Sequence, residues 1–392
     1  MAAPSQRSSR WIVALVSLAA LVILGPVSFS SLPPIHNDVT ATSASYPASV
    51  DLPTKMSSAA AVNQAVRFGG NHGETNLDRT ESVTVDGIGP SFNAVPDGIT
   101  DNTAAFRAAI SAVQSLVAAQ SVDGGGGADV ALGATLVVPR GTWLTGPFNL
   151  TSHMTLFLQQ GATLLASPHM PDYPLVPQPP TYGPGRELDP GPRHHSLILA
   201  YNVTDVLITG ENGTIDGNGR PWWEAMDRKS LHHMRPHVIE IQSSCHVAVS
   251  HLTLVNAPFW FIRPLYSSRL SFRHLTISCP SNVRQTDGID PDSSTHVLIE
   301  DCHVSTGDDA VAIKSGWDQY GYNTYPPAPS ADITVRRVTV QVPPGSDGVG
   351  LSIGSEMSGG VQRVTFEDCR VLGADVGIRI KSATGRGGFV RK

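Results

Sequence analysis

Three aspartates dominate what this sequence could do chemically. Asp287 stands 21 residues before Asp308, and Asp309 adjoins Asp308 in the turn-like run Thr306-Gly-Asp-Asp-Ala. Crowded carboxylates repel, so one holds its proton to higher pH and can act as an acid while another stays ionised as a base. Hydrolysis of a glycosidic bond needs that division of roles. Downstream, Arg379 and Lys381 are an i, i+2 pair, which on a strand points both cations to one face. These five groups converge only if the chain returns to the same place about once every 21 residues, so a scaffold with that period is required.

The sequence contains such a repeat. Val297-Leu-Ile-Glu-Asp-Cys-His-Val304 matches Val364-Thr-Phe-Glu-Asp-Cys-Arg-Val371 without gaps, and the register holds through Lys314-Ser315 against Lys381-Ser382, an offset of 67. Read as a solenoid, that offset is three coils of about 22 residues. Segments 247–254, 270–277 and 333–340 repeat the same alternation of apolar residues. No such strand buries one face alone, so stacking coil on coil at about 4.8 Å builds a shared core of parallel strands. The predicted fold is therefore all-β, a right-handed parallel β-helix over residues 82–392 with one N-terminal capping helix. That helix is expected within 100–119, where N-cap residue types precede Phe106, Ile110, Val113 and Val117 at helical spacing. The column Leu252, Leu275, Cys302, Val338 and Cys369 should line the interior. Cys302 and Cys369 would then lie at least two coils, roughly 10 Å, apart as unpaired buried thiols. A bridge between Cys245 and Cys279 is the pairing left open.

Composition narrows the function classes. With 41% hydrophobic residues, 37 glycines and 30 prolines, the chain favours short strands and turns over long helices. A net charge of -6 with no basic stripe excludes nucleic acid as a partner. The run Gly124 to Gly127 lacks the Lys-Ser/Thr ending of a phosphate loop, which argues against a nucleotide site. Arg7 and Arg10 precede an apolar run from Trp11 to Gly25, so residues 1–30 read as a secretory signal, cleaved or retained as an anchor. Residues 31–81, rich in Ser, Ala, Thr and Pro, read as a disordered linker. Asn149, Asn202 and Asn212 head glycosylation acceptor patterns in keeping with that route. The expected location is secreted, extracellular or in a cell wall, or else signal-anchored, and the expected state is a monomer with no further membrane partner.

Four segments carry a resemblance. Gln285-Thr-Asp-Gly-Ile, Thr306-Gly-Asp-Asp-Ala, Gly350-Leu-Ser-Ile-Gly-Ser and Arg379-Ile-Lys381 resemble, in order, the signature motifs of the polygalacturonase family, glycoside hydrolase family 28. Segments 92–103 and 214–223 resemble earlier signatures of the same family. The resemblance implies inverting hydrolysis of α-1,4 galacturonosyl linkages in pectin or polygalacturonate. Asp308 would be the general acid, and Asp287 and Asp309 would activate water. Arg379 and Lys381 would hold the substrate carboxylate, with Gln285 also facing substrate. For inversion, acid and base carboxyls stand roughly 6.5 to 9.5 Å apart. No cofactor and no metal are expected.

The chain departs from the family pattern in three places. Val349 occupies the position of a customary histidine, and its side chain can neither orient a carboxylate nor donate a proton. Gln285 replaces an asparagine, keeping an amide. The sequence stops soon after Lys381, where the family continues, so C-terminal coils are expected to be missing. The stretch Gly354-Ser-Glu-Met-Ser-Gly-Gly360 resembles a branch that includes exo-acting members.

Coil architecture alone accounts for some of these residues. Across the 67-residue offset Asp308 aligns with Asp375 and Lys381 with Lys314, whereas Asp309 and Arg379 face Val376 and Ala312. The second pair is therefore the stronger sign of function. Trp317 and Tyr320 are expected to stack on sugar faces, with Trp222, Trp223 and Tyr322 weaker candidates. His194-His195 and His232-His233 lack a third zinc ligand, and Asp290 and Asp292 lack the rest of a calcium loop. Two rival readings are a calcium-dependent, pectate-lyase-like eliminase and a non-catalytic carbohydrate-binding wall protein.

Overall fold

A computed structural model describes residues 82–392 apart from 86–87, 124–132, 187–188, 325–327, 343, 345, 347 and 375. The expected signal, the linker, the Gly124 to Gly127 run and Asp375 lie outside the described residues. Among those described, no helix is long and apolar enough to cross a membrane.

The alternating apolar segments form parallel strands stacked rung over rung. Met154–Leu158 pairs with Thr204–Gly210, followed in order by Cys245–Val255, Ser268–Ser278, Thr295–Glu300, Ser330–Arg336 and Val361–Glu367. A second sheet runs from Phe148–Asn149 through Ile198–Tyr201, Ile239–Gln242 and Ile262–Leu265. Bridges at Ile289 and Asp292 carry it on to Val311–Ile313, Leu351–Ile353 and Ile378–Ile380. This is a parallel β-helix.

Apolar side chains form interior ladders between the sheets. Val249, Phe272, Ile299 and Val335 sit on successive rungs and are fully buried, each stabilising by about 1.5–3 kcal/mol relative to exposure. The predicted column is also internal: Leu252, Leu275, Cys302 and Val338 are buried, and Cys369 packs against them half-buried. Helix Thr103–Asp123 covers the N-terminal coils, running past its predicted end. Its Phe106 stacks on Phe148 with ring centroids 5.0 Å apart.

The coil count differs from the expectation. Val297 pairs with Ile333 and Ile333 with Val364, so the 67-residue offset spans two coils and not three. Excursions between strands lengthen these coils, whereas only 23 residues separate Val247 from its partner Leu270. One excursion folds as helix Asp318–Asn323, and another, opened by Pro221 in its first turn, as helix Arg220–Asp227. Neither was anticipated. All four cysteines are free, so the Cys245 to Cys279 bridge is not made. Cys245 begins one 11-residue strand and Cys279 follows the far end of the next, which keeps them apart. Burial pushes the thiols of Cys279 and Cys302 up to about 12.

The outer face of the second sheet matters most for function. Glu240 and Arg263 are register partners there, and the position one rung on is Asp290. Residues 170–186 and 189–195 fold over this face in the N-terminal coils, leaving Arg193, Glu240 and Arg263 almost wholly buried as an ion-paired set. Beyond them, toward the C-terminal coils, the face opens into a cavity.

Candidate functional site

Stacking places the aspartates. The Gly288 N–H donates to Asp309 O at 2.9 Å and the Ala310 N–H to Val349 O at 3.1 Å, so Asp287, Asp309 and Val349 occupy consecutive rungs. Gly288 permits the close approach, since a Cβ there would lie 2.4 Å from Ala310 O. Asp308 reaches the same point from the turn just before the strand Val311–Ile313. One carboxylate oxygen from each of Asp287, Asp308 and Asp309 lies within 4.8 Å of the others. That ceiling, taken on one oxygen from each, lies below the carboxyl spacing of roughly 6.5 to 9.5 Å expected for inversion.

Each aspartate has a different environment. Asp287 is buried, and its Oδ2 accepts from Lys314 Nζ at 3.3 Å. Burial, then the neighbouring charge of Asp308, pushes its carboxyl up to about 7, against the pull of the Lys314 ammonium. Asp308 is only half-buried and accepts backbone N–H groups from Gln285 and Asp309, each at 2.9 Å. Its carboxyl is raised as well, by burial first and the charge of Asp309 second. Asp309 accepts from the Val349 N–H at 3.0 Å, from Ser352 Oγ at 2.7 Å and from Lys381 Nζ. The Val349 side chain contributes no polar group, but its backbone fixes a carboxylate. Two raised carboxyls beside each other titrate as a unit.

A cavity of about 260 Å³ opens over Asp287 and Asp308, lined also by Arg186, Trp260, Gln285, Lys314, Trp317, Ser355, Glu356 and Lys381. Gln285, Trp317 and Lys381 are thus brought to it as sequence suggested. Arg386 stacks on Trp317, 3.7 Å from guanidinium to ring centroid. Three expected residues are not on the lining: Asp309, which is buried beside it, Arg379 and Tyr320. Arg379 is exposed on the strand Ile378–Ile380, in register with Ser352, so Lys381 and not Arg379 is the ion-pair partner of Asp309. Tyr320 lies against Gly183, where a Cβ would come within 2.4 Å of its ring. Trp222 is fully buried against Tyr173 and His194, and Trp223 donates to Ala257 O, so both pack rather than face the cavity.

Four lining residues escaped sequence reasoning: Arg186, Trp260, Lys314 and Glu356. Lys314 Nζ lies 3.2 Å from Glu356 Oε2 and 3.6 Å from Asp290 Oδ2, and Arg186 Nη1 lies 2.6 Å from Glu356 Oε1. Their sequence separations are too large for local patterning, although the alignment of Lys314 with Lys381 carried a usable signal. Among the described residues, Asp287, Asp308 and Asp309 are the single set of three whose ligand atoms could surround a metal. Ammonium groups already meet Asp287 and Asp309, so this donor set is matched to lysine rather than to a divalent cation. Asp292 is likewise occupied, by Arg263 at 2.9 Å and the Tyr182 hydroxyl at 2.7 Å. A larger open groove of about 800 Å³ lies along the other sheet, lined by His251, His274 and Arg337. It has no comparable carboxylate cluster, so the smaller cavity is the candidate active site.

Comparison with known proteins agrees with this geometry. The family model described as glycosyl hydrolases family 28 matches residues 135–392. A probable polygalacturonase of Vitis vinifera is 45% identical over 302 residues, covering 76% of this chain and 57% of the relative. The chain thus spans little more than half the length of that relative. An endo-polygalacturonase of Pectobacterium parmentieri is 31% identical, covering 75% of this chain and 70% of the relative. Among solved structures, the exopolygalacturonase of Thermotoga maritima aligns with a TM-score of 0.63 at 29% identity, covering 79% of this chain and 72% of that one. The polygalacturonase of Erwinia carotovora ssp. carotovora aligns at 0.59 and 26%, covering 79% and 75%. With a family model matched across every coil that carries the three aspartates, and a relative 45% identical, this chain belongs to glycosyl hydrolases family 28.

Proposed function

We propose that the protein hydrolyses α-1,4 galacturonosyl linkages of pectin or polygalacturonate with inversion. The observation that carries this is the convergence of three carboxylates within 4.8 Å beside two ammonium groups. Asp308, the most accessible of the three and held protonated to higher pH by burial and Asp309, gives its proton to the leaving glycosidic oxygen. Asp287 and Asp309 take a proton from the attacking water. Lys381, with Arg379 on the strand Ile378–Ile380 just before it, offers positive charge to the uronate carboxylate, and Trp317 offers a ring face to the sugar. The chain acts as a monomer on an acidic polysaccharide after entering the secretory pathway, as residues 1–30 and the family resemblance suggest.

The test is product analysis. Incubation with polygalacturonate is expected to release reducing ends, to be unchanged by a calcium chelator, and to give no unsaturated product absorbing in the near ultraviolet. Unsaturated product that depends on calcium would point to elimination, and binding without any reducing ends would point to a non-catalytic wall protein. The anomer first formed, followed by proton NMR, decides the stereochemistry. Retention would match carboxyls about 5–5.5 Å apart and would overturn the water-activating role of Asp287 and Asp309.

A further inference from the structure

We propose that Lys314 is a positioning residue for Asp287, holding it in the ionised form that activates water, and that Glu356 sets how much of the Lys314 charge Asp287 receives. This deepens the hydrolytic reading and rests on it.

Lys314 is 2% exposed, so its charge is satisfied wholly within the protein. Its ammonium sits 3.3 Å from Asp287, 3.2 Å from Glu356 and 3.6 Å from Asp290, and 4.2 Å from the Trp260 ring centroid. Glu356 is shared, its other oxygen being held by Arg186. Neither oxygen of Asp290 has a hydrogen-bond partner among the described residues, and burial raises its carboxyl well above the ordinary range. The Lys314 ammonium therefore opposes the rise that burial and the charge of Asp308 impose on Asp287, and stabilises its carboxylate form.

What the two lysines of the repeat meet favours a functional role over a purely architectural one. The Gly354 N–H donates to Ile313 O and the Lys381 N–H to Ile353 O, so Lys314, Gly354 and Lys381 stand on consecutive rungs. Each lysine of that column meets one of the two water-activating aspartates, Lys314 with Asp287 and Lys381 with Asp309. The other charged groups facing Asp287 are Asp308 and Asp309 from the next rung and Lys381 from just after the strand Ile378–Ile380. An opposite charge at this distance shifts a carboxyl by about 1–3 pH units.

The test uses the pH dependence of kcat/KM for the wild type, Lys314→Met and Glu356→Gln. A base must be ionised, so activity is lost as pH falls through its pKa. Removing the ammonium is expected to move this acidic limb to higher pH by at least one unit. Removing Glu356, the competitor for that ammonium, is expected to move it to lower pH. Limbs that stay in place, or move in the same direction, overturn the proposal, because a merely structural role has no reason to shift them oppositely. Should Lys314→Met not fold, Glu356→Gln decides alone, aided by carbon-13 NMR titration of the Asp287 carboxyl with and without that substitution. The titration needs no turnover. A wild type that releases no reducing ends would defeat the hydrolytic reading, while an Asp287 titration unchanged by Glu356→Gln would defeat this one.

Discussion

Asp308→Asn is expected to lower both kcat and kcat/KM on polygalacturonate by about 100- to 10,000-fold, the usual contribution of a general acid. Binding should change little, because the loss falls on a proton delivered only in the transition state. The fold should survive, since asparagine keeps one acceptor for the two N–H groups that now point at Asp308 from Gln285 and Asp309. A second substrate separates the roles. With an aryl galacturonide whose phenol leaves without protonation, Asp308→Asn should recover most of its activity, whereas Asp287→Asn should not. Equal activity of wild type and Asp308→Asn on the polymer would sink the proposed mechanism.

The largest expected effect on stability lies away from the chemistry, at Arg263. Its guanidinium is fully buried, 2.9 Å from Asp292 and 3.8 Å from Glu240, and stacked 4.8 Å from the Tyr182 ring centroid. Arg263→Leu removes one partner and leaves both carboxylates inside, so it should cost about 3–5 kcal/mol, read from the urea unfolding midpoint. The pH dependence carries a sign. Despite burial, Arg193 and the other nearby cations hold Glu240 at about 2, down from an ordinary 4.5. A depressed carboxyl contributes stability above its unfolded value and loses it as pH falls toward the folded one. Wild-type stability should therefore decline between about pH 4.5 and pH 2. With one guanidinium gone, the folded carboxyl moves back toward 4.5, so in Arg263→Leu that decline should be shallower and end at higher pH.

Much of this molecule was legible because a solenoid repeats its instructions. The alternation in 247–254, 270–277 and 333–340 predicted parallel strands, and those segments stack as expected. The convergence of Asp287 with Asp308 and Asp309 followed from their spacing, close to one coil. The coil count failed because octapeptides sharing a Glu-Asp-Cys core recur two rungs apart while the rung between, 333–340, lacks that core. Dividing 67 by a typical coil length then gave three. The partners of the cavity failed for a different reason. Arg186 meets Glu356 across 170 residues, through a covering segment that no periodicity marks. Arg379 was expected beside Lys381 at the substrate, but it is exposed, in register with Ser352 and off the cavity lining, while Lys381 meets Asp309.

The unequal coils have a broader meaning. Val297, Ile333 and Val364 remain in register although 36 residues separate the first two and 31 the last two. Ladder pairing is indifferent to what travels between rungs, and each doubling of a flexible excursion costs only about 0.6 kcal/mol in closure entropy. Trp317 and helix Asp318–Asn323 belong to such an excursion, while Asp287, Asp309 and Lys381 are fixed by the rungs themselves. On the proposed reading, the parts that would grip a sugar and the parts that would cut its bond are tethered to one frame but adjustable apart. A chain of this design could be retailored to a differently decorated polymer by exchanging its outer loops, with the carboxylates left where they stand.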